Sequence, residues 1–507
     1  MENQNRLNAL QNYLQKENIE LAMITDPTNV FYYTGFLSEP HERFLALVRD
    51  GKSDQWILFV PALDKDMAAE SSIIENIIPI SDEQNPFEVL QQHTSSGVVK
   101  VGLEKKAVNV FRYEAFQQIF PEAAFTDVQP FIDSARKKKS RSEVEKMQLA
   151  IDIIEKVLEE GIKKVKVGMT ESELVGELEL LMRKFGADGP SFSTIVLAGE
   201  KSALPHGTPG DRTINHGDFL LIDFGVIKDG YCSDITRTFV IGEASEKQKE
   251  IYNIVLQSTN TGIDAVQAGV PLKNFDIPAR KVIQDSGYGE YFNNRIGHGL
   301  GMNVHEEPSV HEKNEDIAEP GLLFTIEPGI YIPGFGGVRI EDNVYINEDG
   351  KAEVLTSFPK ELMILLRRQT MDTRSESITV HCAENCGNAP KKLLLKDYTI
   401  SLAKNEIEFC LDQLHEQISW DIIGQKQLKG IDEVKFELEQ MNVNHVKTLQ
   451  IDNIITHGNS ASVNGMFSYQ QGQSYAFCDV YQFTGFSKTA KIKKISSYLV
   501  QLTSSDG

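Results

Sequence analysis

Four carboxylates and one imidazole in this sequence stand where they could hold cations. Asp223 closes the apolar run Leu220-Leu-Ile222, and Glu327 closes Leu323-Phe-Thr-Ile326. Asp234 follows Gly230-Tyr-Cys-Ser233, Glu341 sits within Val338-Arg-Ile-Glu-Asp342, and His298 lies in Gly297-His-Gly-Leu-Gly301. Taken singly, each has a plain structural explanation, since an Asp at a strand end caps a turn. Taken together they do not, because carboxylates set in apolar runs are costly to bury without a cation. Oxygen donors with one imidazole suit manganese, cobalt, zinc or iron rather than sulfur-loving metals.

These residues belong to a longer series: Pro205-His-Gly-Thr-Pro209, Asp223-Phe-Gly225, Asp234-Ile-Thr-Arg237, Gly297-His-Gly-Leu-Gly301, Val304-His-Glu-Glu-Pro308, Thr325-Ile-Glu-Pro-Gly-Ile-Tyr331 and Val338-Arg-Ile-Glu-Asp342. In type and order the series resembles the motifs of the proline-specific pita-bread metallopeptidases, prolidase (Xaa-Pro dipeptidase) and aminopeptidase P. The likeness covers residues 1 to 368, including a creatinase-type N-terminal domain. It implies two divalent metal ions, manganese foremost, with cobalt, zinc or iron as alternatives. Asp223 would bind the first, His298 and Glu327 the second, and Asp234 and Glu341 would bridge both. Such a pair activates a water and polarises the amide carbonyl. Glu327 would also shuttle a proton to the leaving proline nitrogen. His206 and His305 match the family's two non-ligand histidines, implied to stabilise the intermediate. Arg339 has two open roles, orienting Glu341 or contacting the substrate carboxylate. One position departs: relatives carry a histidine four residues before the metal histidine, and Asn294 stands there. The expectation is a lost charged contact with substrate.

The implied reaction is hydrolysis of the bond preceding proline, in Xaa-Pro dipeptides first and in longer peptides as the alternative. A non-catalytic binding module on the same scaffold and a metal-free creatinase-like hydrolase are the rivals, and the five retained ligand types oppose both. Phe192, Tyr231, Ile332 and Phe335 are candidate apolar walls for the proline.

Composition narrows the partners. The formal net charge of −22 argues against nucleic acid, whose phosphates demand clustered Lys and Arg. The basic run Arg136 to Arg141 reads as a solvated linker or helix entrance. No run spans a bilayer and the opening residues lack an apolar signal core, so the expectation is a cytoplasmic protein without a membrane partner. Five cysteines in 507 residues suggest no disulfide framework. The family resemblance implies a homodimer.

The elements that must position these residues follow from periodicity. Residues 1–135 read as an α/β domain, with Phe44–Val48 and Trp56–Val60 as buried strands. Residues 140–369 mix helices (144–162, 171–185, 246–268) with strands at 219–224, 236–241, 322–326 and 343–346, an α+β pattern. The last quarter, 385–507, holds four of the five cysteines. It reads as helices 393–408, 407–418 and 431–441, then strands 446–451, 454–457, 462–467, 474–483 and 491–502. That order resembles an α+β NTF2-like (SnoaL-like) cone, with Asp421, His457 and Asp479 as candidate pocket residues. His381-Cys382 with Cys386 invites a zinc reading, although the spacing is not that of a finger.

Overall fold

The computed structural model describes residues 2–366, 378–382, 390–404, 406–440, 446–469, 473–487 and 490–502. The chain divides into two compact units, Met1–Arg368 and Gln369–Gly507.

The first unit opens with a six-stranded mixed sheet, in the order Ile77–Ile80, Gln55–Pro61, Ala46–Asp50, Leu21–Ile24, Lys100–Leu103, Ala124–Asp127. Its central strands Leu21–Ile24 and Ala46–Asp50 are buried on both faces along their whole length, as expected where helices cover a sheet. The helices that follow begin where side chains satisfy their first free N–H groups. Capping boxes at Ser140/Glu143, Thr170/Glu173 and Ser245/Gln248 start Arg141–Ile162, Glu171–Lys184 and Glu246–Asp264. One apolar cluster runs through both halves of this unit, joining Leu10, Tyr33 and Ile132 to Met147, Ile151, Leu300 and Leu323. The segments before and after residue 138 therefore share a core.

The basic run between them is a helix entrance, Arg141 opening the helix 141–162, but two of its members are not solvated. Arg136 and Lys139 are buried, and both pair with the buried Glu306. Arg136 also donates to Asn29 Oδ1 at 2.6 Å, and Asn29 donates to Glu104 at 2.6 Å. Composition reads the run as one block of charge, whereas the backbone turns two of its members inward onto a carboxylate distant in sequence.

The second unit carries a seven-stranded sheet ordered Thr379–Cys382, Val446–His457, Ser460–Tyr469, Ser474–Phe483, Ile492–Leu502, Leu414–Ile422, Lys426–Lys429, with helices Pro390–Ala403, Ile407–Asp412 and Ile431–Gln440. The helix expected over 407–418 stops at Asp412. Leu411, Leu414 and Ile418 mimic helical spacing, but Ile418, Trp420 and Ile422 alternate inward once the strand pairs with 492–502. The two strands expected at 446–451 and 454–457 are one, because a register shift between Ile451 and Asn453 absorbs the polar pair at 452–453. Asp479 is buried, Asp421 is partly so, and His457 is exposed at a hairpin end. Cys386 lies outside the described residues.

Candidate metal and active site

Pairing between strands, not proximity in sequence, gathers the five candidate ligands. Strands Phe219–Phe224 and Ile235–Ile241 run antiparallel with Asp223 opposite Thr236, which places Asp234 just beyond the paired end. Leu323–Ile326 pairs with Asp342–Ile346, Ile326 facing Asp342. Glu327 and Glu341 therefore leave adjacent strand ends side by side. Gly297–Gly299 pairs with Glu306–Val310 and touches Phe324, which brings in His298. The flanking glycines are required for this: a Cβ on Gly297 would lie 1.8 Å from the Thr325 carbonyl, and one on Gly299 would lie 2.2 Å from that of Glu307.

Asp234, His298 and Glu341 are buried, and each offers a ligand atom within 4.8 Å of the others. His298 Nε2 lies 3.2 Å from Glu327 Oε1 and 3.7 Å from Asp234 Oδ2. Asp223 joins them through Arg339, whose Nη2 donates to its carboxylate. Among the described residues, Asp234 Oδ1 and Glu341 Oε1 are buried without a hydrogen-bond partner. Buried polar atoms are seldom left so, and two carboxylate oxygens left so beside one imidazole is the donor set of a cation site.

The electrostatics agree with that reading. Burial, then the neighbouring Glu341 and Asp223, pushes Asp234 well above the usual carboxylate range. Burial with Glu327 and Asp223 does the same to Glu341. Asp223 is raised by burial against the pull of Arg339. Glu327 differs: burial raises it, but the hydrogen bond from His298 and the charges of His298, Arg339 and Arg295 outweigh that and hold it low.

Around the ligands stands a supporting layer. Thr236 Oγ1 donates to Glu341 at 2.7 Å, and Thr325 Oγ1 donates to Glu327 at 3.2 Å while accepting from the His298 N–H. Arg339 directs all three nitrogens inward, to Asp223, to the Tyr331 hydroxyl at 2.8 Å and to Thr236 at 3.0 Å. Arg237 is fully buried, pairs with Asp342 at 2.8 Å and donates to the Glu341 carbonyl. Sequence reasoning passed over Arg237, Thr236, Thr325 and Tyr331. The available signal was an arginine inside the strand Ile235-Thr-Arg-Thr-Phe-Val-Ile241, which must find acceptors in the core.

His305 is exposed overall, yet its ring meets His298 edge-on at 4.2 Å. Loss of water on that side, with the charges of His298 and Arg295, pulls it down to about 4. His206 is exposed, near enough to His305 to act on it. Tyr231, an expected pocket wall, is instead in the core, its hydroxyl donating to Glu143 at 3.1 Å. Phe335 packs on Phe219, Ile332 packs against the neighbouring apolar cluster, and Phe192 is partly buried. His305 also lines a polar cleft of about 350 Å³, together with Arg295, Glu306, Glu307, Asp26, Lys106 and Arg136.

Comparison with known proteins agrees with this geometry. Residues 145–348 match metallopeptidase family M24, and residues 6–138 match the creatinase/prolidase N-terminal domain. An uncharacterized peptidase of Staphylococcus aureus (strain bovine RF122) is 41% identical over 349 residues, 68% of this chain and 97% of that protein. The chain belongs to metallopeptidase family M24. Its first unit therefore has the pita-bread fold preceded by a creatinase-like domain. Among solved structures, the Xaa-Pro dipeptidase from Bacillus anthracis is 34% identical with a TM-score of 0.66, covering 72% of this chain and all of that one. Prolidase from Pyrococcus furiosus is 35% identical at 0.63, and the X-Pro aminopeptidase from Thermotoga maritima 32% at 0.63. Each of these two covers 68% of this chain and 98% of its own.

Proposed function

We propose that this chain hydrolyses the peptide bond preceding proline, with Xaa-Pro dipeptides as substrates and two divalent cations, manganese foremost, as cofactors. The observation that carries the reading is the cluster of buried carboxylates with orphaned oxygens at Asp234 and Glu341, set beside His298 and Glu327. The Bacillus anthracis and Pyrococcus furiosus likenesses add the substrate class. Asp223 would hold one ion, His298 and Glu327 the other, with Asp234 and Glu341 shared. When bound, the ions supply Lewis acidity and a water of lowered pKa.

The chain's own residues complete the chemistry. Glu327 accepts from Thr325 through Oε1 and, as a carboxylate beside the attacking water, would take its proton and pass it to the proline nitrogen. His305, held neutral by its surroundings, donates an N–H to the carbonyl oxygen as charge develops there, with His206 as the second donor. Arg339 serves as orienter of Asp223 and, through Thr236, of Glu341. Its inward hydrogen bonds leave it turned away from substrate.

A second reading, removal of the N-terminal residue from longer Xaa-Pro peptides, draws on the cleft of about 350 Å³, which has room for residues after the proline. Assay of Ala-Pro against Ala-Pro-Gly-Gly with manganese decides between them. Turnover of the longer peptide alone rejects the dipeptidase reading, and turnover of neither rejects both. For the second unit, the helices followed by the antiparallel run 446–502 favour an NTF2-like cone. Homodimeric assembly and a cytoplasmic setting belong to the same reading.

A further inference from the structure

Glu104 is fully buried just past the strand Lys100–Leu103, and the proposed reaction makes no use of it. Its Oε2 accepts from the backbone N–H groups of Thr25 and Asp26, the latter at 2.9 Å, and its Oε1 accepts from Asn29 Nδ2 at 2.6 Å. Asn29, itself buried, turns its other end to Arg136, which donates to Oδ1 at 2.6 Å and pairs with Glu306. A guanidinium only donates, so the orientation of the Asn29 amide is fixed from both sides. Among the described residues Arg136 Nε is buried without a partner, so Asn29 and Glu306 are what hold the guanidinium. The relay ends at the proposed active site. Glu306 follows His305, accepts from the Asn303 N–H at 2.9 Å and opens the strand that pairs with Gly297–Gly299.

A proton on Glu104 rewires that relay. It cannot settle on Oε2, which faces two backbone N–H groups and has the Thr25 hydroxyl no nearer than 3.5 Å. It must sit on Oε1, where Asn29 Nδ2 already points a donor. The conflict is relieved when the Asn29 amide turns over and Oδ1 accepts from Glu104. Nδ2 then faces Arg136, donor against donor, and the guanidinium loses the acceptor that set its place against Glu306. Burial, with a smaller push from the charge of Asp26, outweighs the hydrogen bonds from Asp26, Asn29 and Thr25 and lifts Glu104 to about 7. The other titratable groups around it are settled. Tyr33 feels the Glu104 charge and is itself pushed up, so it stays neutral. Lys106 pairs with Asp133 at 3.1 Å, and Asp127 accepts from the Lys105 N–H at 3.2 Å.

We infer that Glu104 is a positioning residue for His305, acting through Asn29, Arg136 and Glu306, and that its ionised form alone holds the relay in the arrangement the reaction uses. The inference rests on the Xaa-Pro reading for the role of His305 and adds a remote ionisation to it. The effect appears in kcat, since His305 acts on charge that develops in the transition state.

The test is the pH profile of Ala-Pro hydrolysis by the full chain loaded with manganese, for the wild type and Glu104→Gln. The variant presents on Oε1's side the donor that the protonated carboxyl would present, and so holds the turned-over Asn29 at every pH. The wild-type to variant ratio of kcat should rise from near unity well below pH 7 to about 10-fold well above it, with a midpoint near 7. Asn29→Ala cuts the relay, so adding Glu104→Gln to it should change nothing further. A merely structural role would lower the rates alike at every pH. A ratio flat with pH overturns the inference, as does a rise that persists in the Asn29→Ala background. Should the wild type cleave no Ala-Pro, the Xaa-Pro reading fails by itself, and the Asn29 side-chain amide resonance decides for the relay. In a chain carrying isotope-labelled asparagine, that resonance is assigned by its loss in Asn29→Ala. A shift with a midpoint near 7 in the wild type upholds the relay, also where Glu104→Gln fails to fold, and a resonance that does not titrate overturns it.

Discussion

Replacing Arg136 with Met tests whether the buried brace between the N-terminal sheet and the His305 loop holds the first unit together. Arg136 is 7% exposed and donates to both Asn29 and Glu306. Met preserves the length and apolar stem but leaves Asn29 Oδ1 without its donor. Glu306 is not stranded, since Lys139 remains at 3.2 Å and the Asn303 N–H at 2.9 Å. The cost therefore falls at the low end for a broken buried pair, about 3 kcal/mol. Glu306→Gln leaves two buried cations facing a neutral amide and should cost more, roughly 4–5 kcal/mol. Because the two changes dismantle one network, the double variant should cost at least ~1 kcal/mol less than their sum. The chain has two tryptophans, Trp56 and Trp420, one in each unit. Urea unfolding followed at Trp56 in a Trp420→Phe background reports on the first unit. Burial raises the Glu306 pKa, but Lys139 and Arg136 outweigh it and hold the group below its ordinary 4.5. The contribution of Glu306 should thus be full above that value and fade as pH falls through the lower folded pKa. A loss under ~1 kcal/mol for Arg136→Met, with an additive double variant, would refute the brace.

Elemental analysis after manganese reconstitution should find two ions per chain, a number set by the proposed shared ligands. Glu341→Gln, close to isosteric, should weaken binding by at least about 10-fold, read as a lost metal-dependent rise in melting temperature. Manganese leaving the wild-type melting curve unmoved would refute the site. Truncation after Arg368 should leave peptidase kcat/KM within about twofold, because all five candidate ligands lie within the first compact unit. Abolished activity in a folded truncate would count against this. In the second unit, burial lifts Asp479 to about 6, against hydrogen bonds from Ser497 and Tyr481. A raised carboxyl stabilises most below its unfolded value of 3.8, and that contribution is lost as pH rises through about 6. Asp479→Asn should flatten that slope and, at pH 7, recover up to about 3 kcal/mol, read at Trp420 in a Trp56→Phe background. An unchanged slope would refute it.

The candidate ligands of the first unit were legible in the chain because they punctuate apolar strands, and burial makes such punctuation expensive. Asp223, Asp234, His298, Glu327 and Glu341 announce themselves by residue type and by the runs they close. The helices read at 144–162, 171–185 and 246–268 stand at 141–162, 171–184 and 246–264, the first starting three residues earlier because Ser140 and Glu143 form its capping box. What the chain could not display is register. Whether Ile326 faces Asp342, and hence whether Glu327 and Glu341 meet, depends on a pairing between distant segments. The same holds for Arg136, which read as solvated charge until Glu306, 170 residues away, supplied its partner. In the second unit, Leu411, Leu414 and Ile418 satisfied a helix and Ile418, Trp420 and Ile422 a strand. Pairing with 492–502 settled the contest, since only neighbouring strands satisfy the backbone groups along a strand. Residue type and local period belong to the chain; register, partner and direction belong to the fold, where non-local contacts outweigh local preference.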